Sequence, residues 1–100
     1  MDKIEVINKI RKYRFLLNEH FDIKKVLLFG SYAKGTNKEE SDIDVAIIVD
    51  NLDGDYFATT PLLWKLRREI DDRIEPILLE NNNDKSGFLK EIEKYGVEIN

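Results

Sequence analysis

The chain reads as a small α/β (α+β) domain: a mixed β-sheet with helices packed on one side, in the order α-β-β-α-β-α. Three features lead there. Near the start, Ile4, Ile7, Ile10, Tyr13, Leu17 and Phe21 recur at three- and four-residue steps, the period of an amphipathic helix. Two unbroken apolar runs, Val26–Phe29 and Val45–Val49, are of strand length and strand type. A third apolar run, Ile74–Leu79, follows a second helical stretch.

One hundred residues fit a single domain spanning 1–100. At this size roughly 60–65% of the unfolded surface can be buried, and a 42% hydrophobic content is enough for one core. The formal net charge of -4 argues against a general nucleic-acid binder, which would show a basic face or a high pI. With no cysteine, neither disulfides nor a thiolate metal site is available. No apolar run approaches the ~18 residues of a membrane span. The N-terminal stretch carries acids and helical periodicity, unlike a signal peptide, so the cytoplasm is the expected compartment.

The first helix is expected from about Lys3 to about His20. Lys9, Arg11, Lys12 and Arg14 make its middle basic, which reads as a solvated face; a docking surface for phosphates or an acidic partner is the alternative. His20, the single histidine, reads as a surface or capping residue. Strand one follows Asp22–Lys25 and stops at Gly30-Ser31. Lys34–Glu40, with Gly35, Thr36 and Asn37, reads as loop. Strand two begins near Ser41, and its unbroken apolar tail predicts burial on both faces at the centre of the sheet. Asp50–Asp55 is a turn cluster whose acids are read as solvated, since their spacing does not fit an EF-hand loop.

Thr60-Pro61 predicts a helix start, with threonine as cap and proline in the first position. Leu62, Leu63, Leu66 and Ile70 form its stripe. Trp64 is assigned to the core, with a partner anchor as the alternative, and Asp71-Asp72-Arg73 ends the helix. In strand three Pro76 has no N–H to donate, so this strand belongs at an edge or carries a bulge. After a loop over Glu80–Lys85, Ser86 is expected to cap a last helix with Phe88, Leu89, Ile92 and Tyr95 on its apolar face and Gly96 as its stop. Val97-Glu98-Ile99 adds a short strand or simply packs.

The chemistry lies between Val26 and Asp50. Asp42 and Asp44 open an otherwise apolar strand, and strand alternation points them the same way. Two neighbouring carboxylates repel each other, and the arrangement becomes favourable when a divalent cation sits between them. Magnesium takes such oxygen ligands together with substrate phosphates. Gly30, directly after a strand, allows close backbone approach to a ligand. Ser31 can present its hydroxyl, and if Ser31 to Lys34 begin a short helix, its N–H groups form an anion site. A phosphate cradle beside a carboxylate pair suits nucleotidyl transfer from a triphosphate.

Gly30-Ser31, ten intervening residues and then Asp42-Ile43-Asp44 resembles the signature of the minimal nucleotidyltransferases, the smallest members of the DNA polymerase beta-like superfamily. Tyr32-Ala33-Lys34-Gly35 and Ser41 also match, with Lys34 where the family often has arginine. The resemblance implies a nucleotidyltransferase fold and a third carboxylate on a later strand after a helix. Glu75 matches it by position; a solvent-facing strand residue is its other reading, and Asp72 is the competing third ligand. It also implies ATP as substrate, Gly30, Ser31 and Lys34 on the nucleotide, and two Mg2+ ions on Asp42, Asp44 and Glu75. Minimal members are similar to antitoxins that transfer AMP to a tyrosine of a partner HEPN-domain ribonuclease toxin. The rival readings are an oligomeric enzyme acting on a small molecule and a non-enzymatic antitoxin that blocks its toxin by binding.

Overall fold

The computed structural model describes residues 1–52 and 56–100, with side chains in the second stretch from residue 59 onward. The elements run α1 (Lys3–Leu17), β1 (Lys25–Phe29), α2 (Gly30–Lys34), β2 (Ile43–Val49), α3 (Tyr56–Arg67), β3 (Ile74–Glu80), α4 (Phe88–Glu93) and β4 (Val97–Glu98). Helix α1 starts on Asp2, whose carboxylate accepts from the Glu5 backbone N–H at 2.8 Å, satisfying one donor that the helix leaves unpaired. Val6, Ile10, Tyr13 and Leu17 are its buried stripe. The helical period is as expected, but Val6 sets its phase, and Ile4 is 73% exposed.

The four strands form one sheet in the order β3-β2-β1-β4. β1 runs antiparallel to both β2 and β4, and β2 runs parallel to β3. β2 is therefore central, and Val45 to Val49 are all buried, as the unbroken run predicts. Helix α3 supplies the crossover that a parallel pair needs. β3 lies at the edge, the place where Pro76 is tolerated. Val97 and Glu98 do form a strand, pairing with Leu28 and Leu27.

Strand alternation divides the sheet into two apolar faces. Val26, Leu28, Ile43, Val45, Ile47, Ile74 and Leu78 pack with α1 and with Leu63 of α3 in the main core. Leu27, Ala46 and Ile48 pack with Leu89 and Ile92 of α4 in a smaller cluster on the other face. The helices are thus divided between faces rather than gathered on one. A sheet that is apolar on both sides needs cover on both.

Several local expectations shift for physical reasons. Helix α3 begins at Tyr56, so Pro61 lies inside it and Thr60 is not its cap; Asp53, Gly54 and Asp55 of the expected turn lie outside the described residues. Trp64 is not core: it is 38% exposed, with the Arg67 guanidinium 4.6 Å over its ring. Ser86 does accept from the N–H of Phe88, the first residue of α4, at 3.3 Å, and Asp84 adds to it by accepting from the Leu89 and Lys90 N–H groups at 3.0 and 3.1 Å. The helix ends earlier than expected, at Glu93 with Lys94 as its C-cap; Gly96 follows in the tight turn, where a Cβ would stand 2.6 Å from the Ile92 carbonyl oxygen. The basic middle of α1 splits in role. Lys9 pairs with Asp71 at 2.7 Å and Arg14 donates to the Ile99 carbonyl at 2.6 Å, while Arg11 and Lys12 remain exposed.

Candidate active site

Alternation along β2 puts Asp44 on the same face as Ala46 and Ile48, the face that α4 covers. Asp42 directly precedes the strand in the same phase and is exposed. In the sheet register Asp44 stands opposite Phe29 of β1 on one side and Glu75 of β3 on the other. The three carboxylates proposed from sequence therefore gather at one end of one face. Asp72 does not join them. It lies exposed before β3, whose register with β2 begins only at Ile74.

Electrostatics marks the crowding. Partial burial pushes the Asp44 carboxyl above its ordinary range, and the charge of Asp42 pushes it further. Lost hydration also raises Glu75; Asp42 and Asp44 add to this by charge, a carboxyl hydrogen bond with Asp42 adds more, and Arg67 opposes them. Arg67 is a residue that sequence reasoning did not single out. Its guanidinium donates to the Asp72 carbonyl and, at 3.1 Å, to the Ile74 carbonyl. It thereby braces the segment that leads into Glu75. The only sequence signal was a basic pair, Arg67-Arg68, closing a helix just before an acidic strand.

Gly30 sits hard against the carboxylates. Its φ is +72°, a left-handed conformation that side chains disfavour, and a Cβ on it would lie 2.1 Å from Asp44 Oδ2. Only glycine lets the turn run so close to Asp44. The short helix expected after it is present as α2, whose N-cap position, Phe29, makes no side-chain capping bond. Tyr32 is buried in the main core and anchors α2. Ser31 is half-buried, and Lys34 is exposed with its ammonium 4.5 Å over the Tyr95 ring, on the α4 side of the sheet.

Among the described residues, no three His, Asp or Glu side chains already close around a common point. The donor set nevertheless fits a hard divalent cation. It offers carboxylate oxygens alone, on one face, with two of them raised in proton affinity, and a bound cation would relieve the repulsion between them.

Residues 8–100 match the family model described as Polymerase beta, Nucleotidyltransferase. The chain belongs to this nucleotidyltransferase family. The expected order α-β-β-α-β-α is present, with the short helix α2 and the strand β4 added to it. A Methanocaldococcus jannaschii relative, MJ0141, named as a candidate protein adenylyltransferase, is 34% identical over 102 residues, covering 99% of this chain and 100% of the relative. Protein adenylyltransferase MntA of Thermococcus cleftensis is 32% identical over 98 residues, covering 92% and 88%. A crystal structure described as a candidate nucleotidyltransferase from Sulfolobus solfataricus shares the fold, with a TM-score of 0.72 at 19% identity over 96% of this chain and 80% of its own. A crystal structure described as a toxin-antitoxin with AMP-PNP matches with a TM-score of 0.68 at 26% identity, covering 93% and 71%.

In this nucleotidyltransferase the glycine-serine turn and the acidic strand belong to paired antiparallel neighbours. That is why residues so far apart in sequence as Gly30 and Asp44 come into contact. No helix among the described residues is long and apolar enough to cross a membrane.

Proposed function

We propose that this nucleotidyltransferase moves AMP from ATP onto a hydroxyl of another protein, a tyrosine of a cognate HEPN ribonuclease toxin, and acts as its antitoxin in the cytoplasm. The observation that carries the reading is the crowding at Asp44, with Glu75 beside it in register and the Gly30 backbone pressed against its carboxylate. Relatives named as protein adenylyltransferases, and a similar fold described as a toxin-antitoxin with AMP-PNP, favour a protein acceptor over a small molecule. A single unit spanning 1–100 carries every residue this reading uses.

Gly30 admits the triphosphate by having no side chain, and Ser31 binds it through its hydroxyl and the N–H groups that follow. Lys34 sets positive charge next to it. Asp42, Asp44 and Glu75 hold magnesium, two ions in this reading, which when bound orients the triphosphate and neutralises charge at the α-phosphate. The acceptor oxygen bonds to the α-phosphorus, and the bond from that phosphorus to the bridging oxygen of pyrophosphate breaks. The hydroxyl proton passes to the Glu75 carboxylate. A bulky anion on the toxin then repels RNA phosphate and blocks its path.

The test is intact mass spectrometry of the toxin after incubation with this protein, ATP and magnesium. A gain of one or more AMP masses is expected, absent with Asp42→Asn or Asp44→Asn. Wild-type protein that protects cells while the toxin mass stays unchanged would refute transfer and leave binding alone as the antitoxin activity.

A further inference from the structure

Beyond the carboxylates the same face continues into an aromatic shelf that the phosphate and metal roles leave unused. Phe29 stands opposite Asp44 in the β1–β2 register and belongs to the cluster under α4. The Phe88 ring meets it edge-on, with centroids 5.8 Å apart and planes at 86°. Phe88 is the first residue of α4 and is 36% exposed, so a large apolar ring stands partly in solvent close to charged groups. Tyr95 packs in the same cluster and carries the Lys34 ammonium over one ring face. Asp44 is thus bordered by Glu75 on its β3 side and by rings on its β1 side.

We propose that this shelf is the nucleobase subsite, with the purine of the nucleotide stacked on Phe88 beside Phe29 and Tyr95. The proposal rests on the nucleotide reading above and deepens it. In-line displacement puts the acceptor opposite the departing pyrophosphate. With pyrophosphate at Gly30-Ser31 and the acceptor at Glu75, the nucleoside leaves the α-phosphorus at right angles to that axis. The element standing on that face is α4, and it presents an uncharged ring there. A neutral base with two π-faces matches that surface, and the acidic side does not.

Stacking a base on an aromatic side chain changes affinity by a factor of about 5 to 150. The experiment is calorimetric titration of wild type, Phe88→Ala and Phe88→Tyr with magnesium-ATP and, separately, with magnesium-tripolyphosphate, which has the phosphates but no base. Phe88→Ala should weaken ATP by about 5- to 150-fold and leave tripolyphosphate unchanged, while Phe88→Tyr keeps wild-type ATP affinity. Unchanged ATP affinity in Phe88→Ala overturns the shelf and leaves the nucleotide site standing, with its base elsewhere. Equal weakening of both ligands also overturns it, since the ring would then serve only the local packing. If wild type binds neither ligand, the nucleotide reading itself fails, and the shelf with it.

Discussion

Replacing Gly30 with alanine tests the tightest point of the molecule. Two penalties add. The backbone at φ +72° is left-handed, which costs an alanine about 1–2 kcal/mol relative to glycine. The new methyl would also stand 2.1 Å from Asp44 Oδ2, 2.9 Å from its Cγ and 3.2 Å from its Cβ. Because the crowding reaches down the side chain, turning the carboxylate tip does not relieve it. Asp44 must leave its rotamer, at about 0.5–1.5 kcal/mol. The expected loss is about 1.5–3.5 kcal/mol, with roughly 4–8 °C of Tm per kcal/mol in a domain this small. Urea unfolding followed by far-UV circular dichroism measures it. The same substitution in an Asp44→Ala background separates the two parts, since only the 3.2 Å contact with Cβ then remains. There the loss should fall to the backbone share of about 1–2 kcal/mol. Equal losses in both backgrounds would refute the steric argument, and a loss below about 0.5 kcal/mol in the wild-type background would refute the conformational one as well.

Asp44→Asn should stabilise the metal-free protein by about 0.2–1 kcal/mol, because it removes a like charge beside Asp42, and should abolish adenylyl transfer; a destabilised but active variant would contradict both. The raised carboxyls of Asp44 and Glu75 add stability that is complete below their unfolded values near pH 4 and fades as pH rises through their folded ones, so Asp44→Asn should also flatten the decline of stability as pH rises above about 4. Asp71 has the opposite sign. Burial alone would raise it, but hydrogen bonds from Arg73 and Lys9 prevail and hold it well below the usual carboxylate range. Its contribution is present above the unfolded value and lost as pH falls toward the folded one. Asp71→Asn should therefore lose about 1.5–3 kcal/mol near neutrality, with a shallower acid limb in a denaturation series than wild type.

Much of the site was legible because it rests on local pattern. Apolar runs gave away the strands, and alternation alone set Asp42 and Asp44 on one face. That Glu75 stands opposite Asp44 is a tertiary fact: it depends on α3 returning β3 parallel to β2. What stayed hidden depends on partners far along the chain. Ile4 and Val6 are both apolar, and only packing against the sheet decides which is buried. Lys9 and Arg14 look like surface cations until Asp71 and the Ile99 carbonyl come alongside. Trp64 lies one residue off the buried stripe beside Leu63, so its exposure follows from helix phase, which a short apolar cluster does not specify.

The two faces of the sheet divide stability from chemistry, and the division explains where three acids can be tolerated. The main core lies between the sheet and α1 and α3, and it includes Tyr13, whose buried hydroxyl donates to the Leu63 carbonyl at 2.7 Å. That side fixes the strands. A charge placed there would have to be desolvated without a partner. The α4 face is covered by a short helix over Leu27, Ala46 and Ile48 and leaves the Asp44 end of the strands open. Asp42 and Glu75 stay exposed there, and Asp44 is only partly buried. The repulsion between them is thus screened by water, yet lost hydration together with the neighbouring charges still raises Asp44 and Glu75. Arg67 links the two halves. It belongs to the helix on the core side, holds the carbonyls of Asp72 and Ile74, and so transmits the rigidity of the core face to the one acid that comes from another strand.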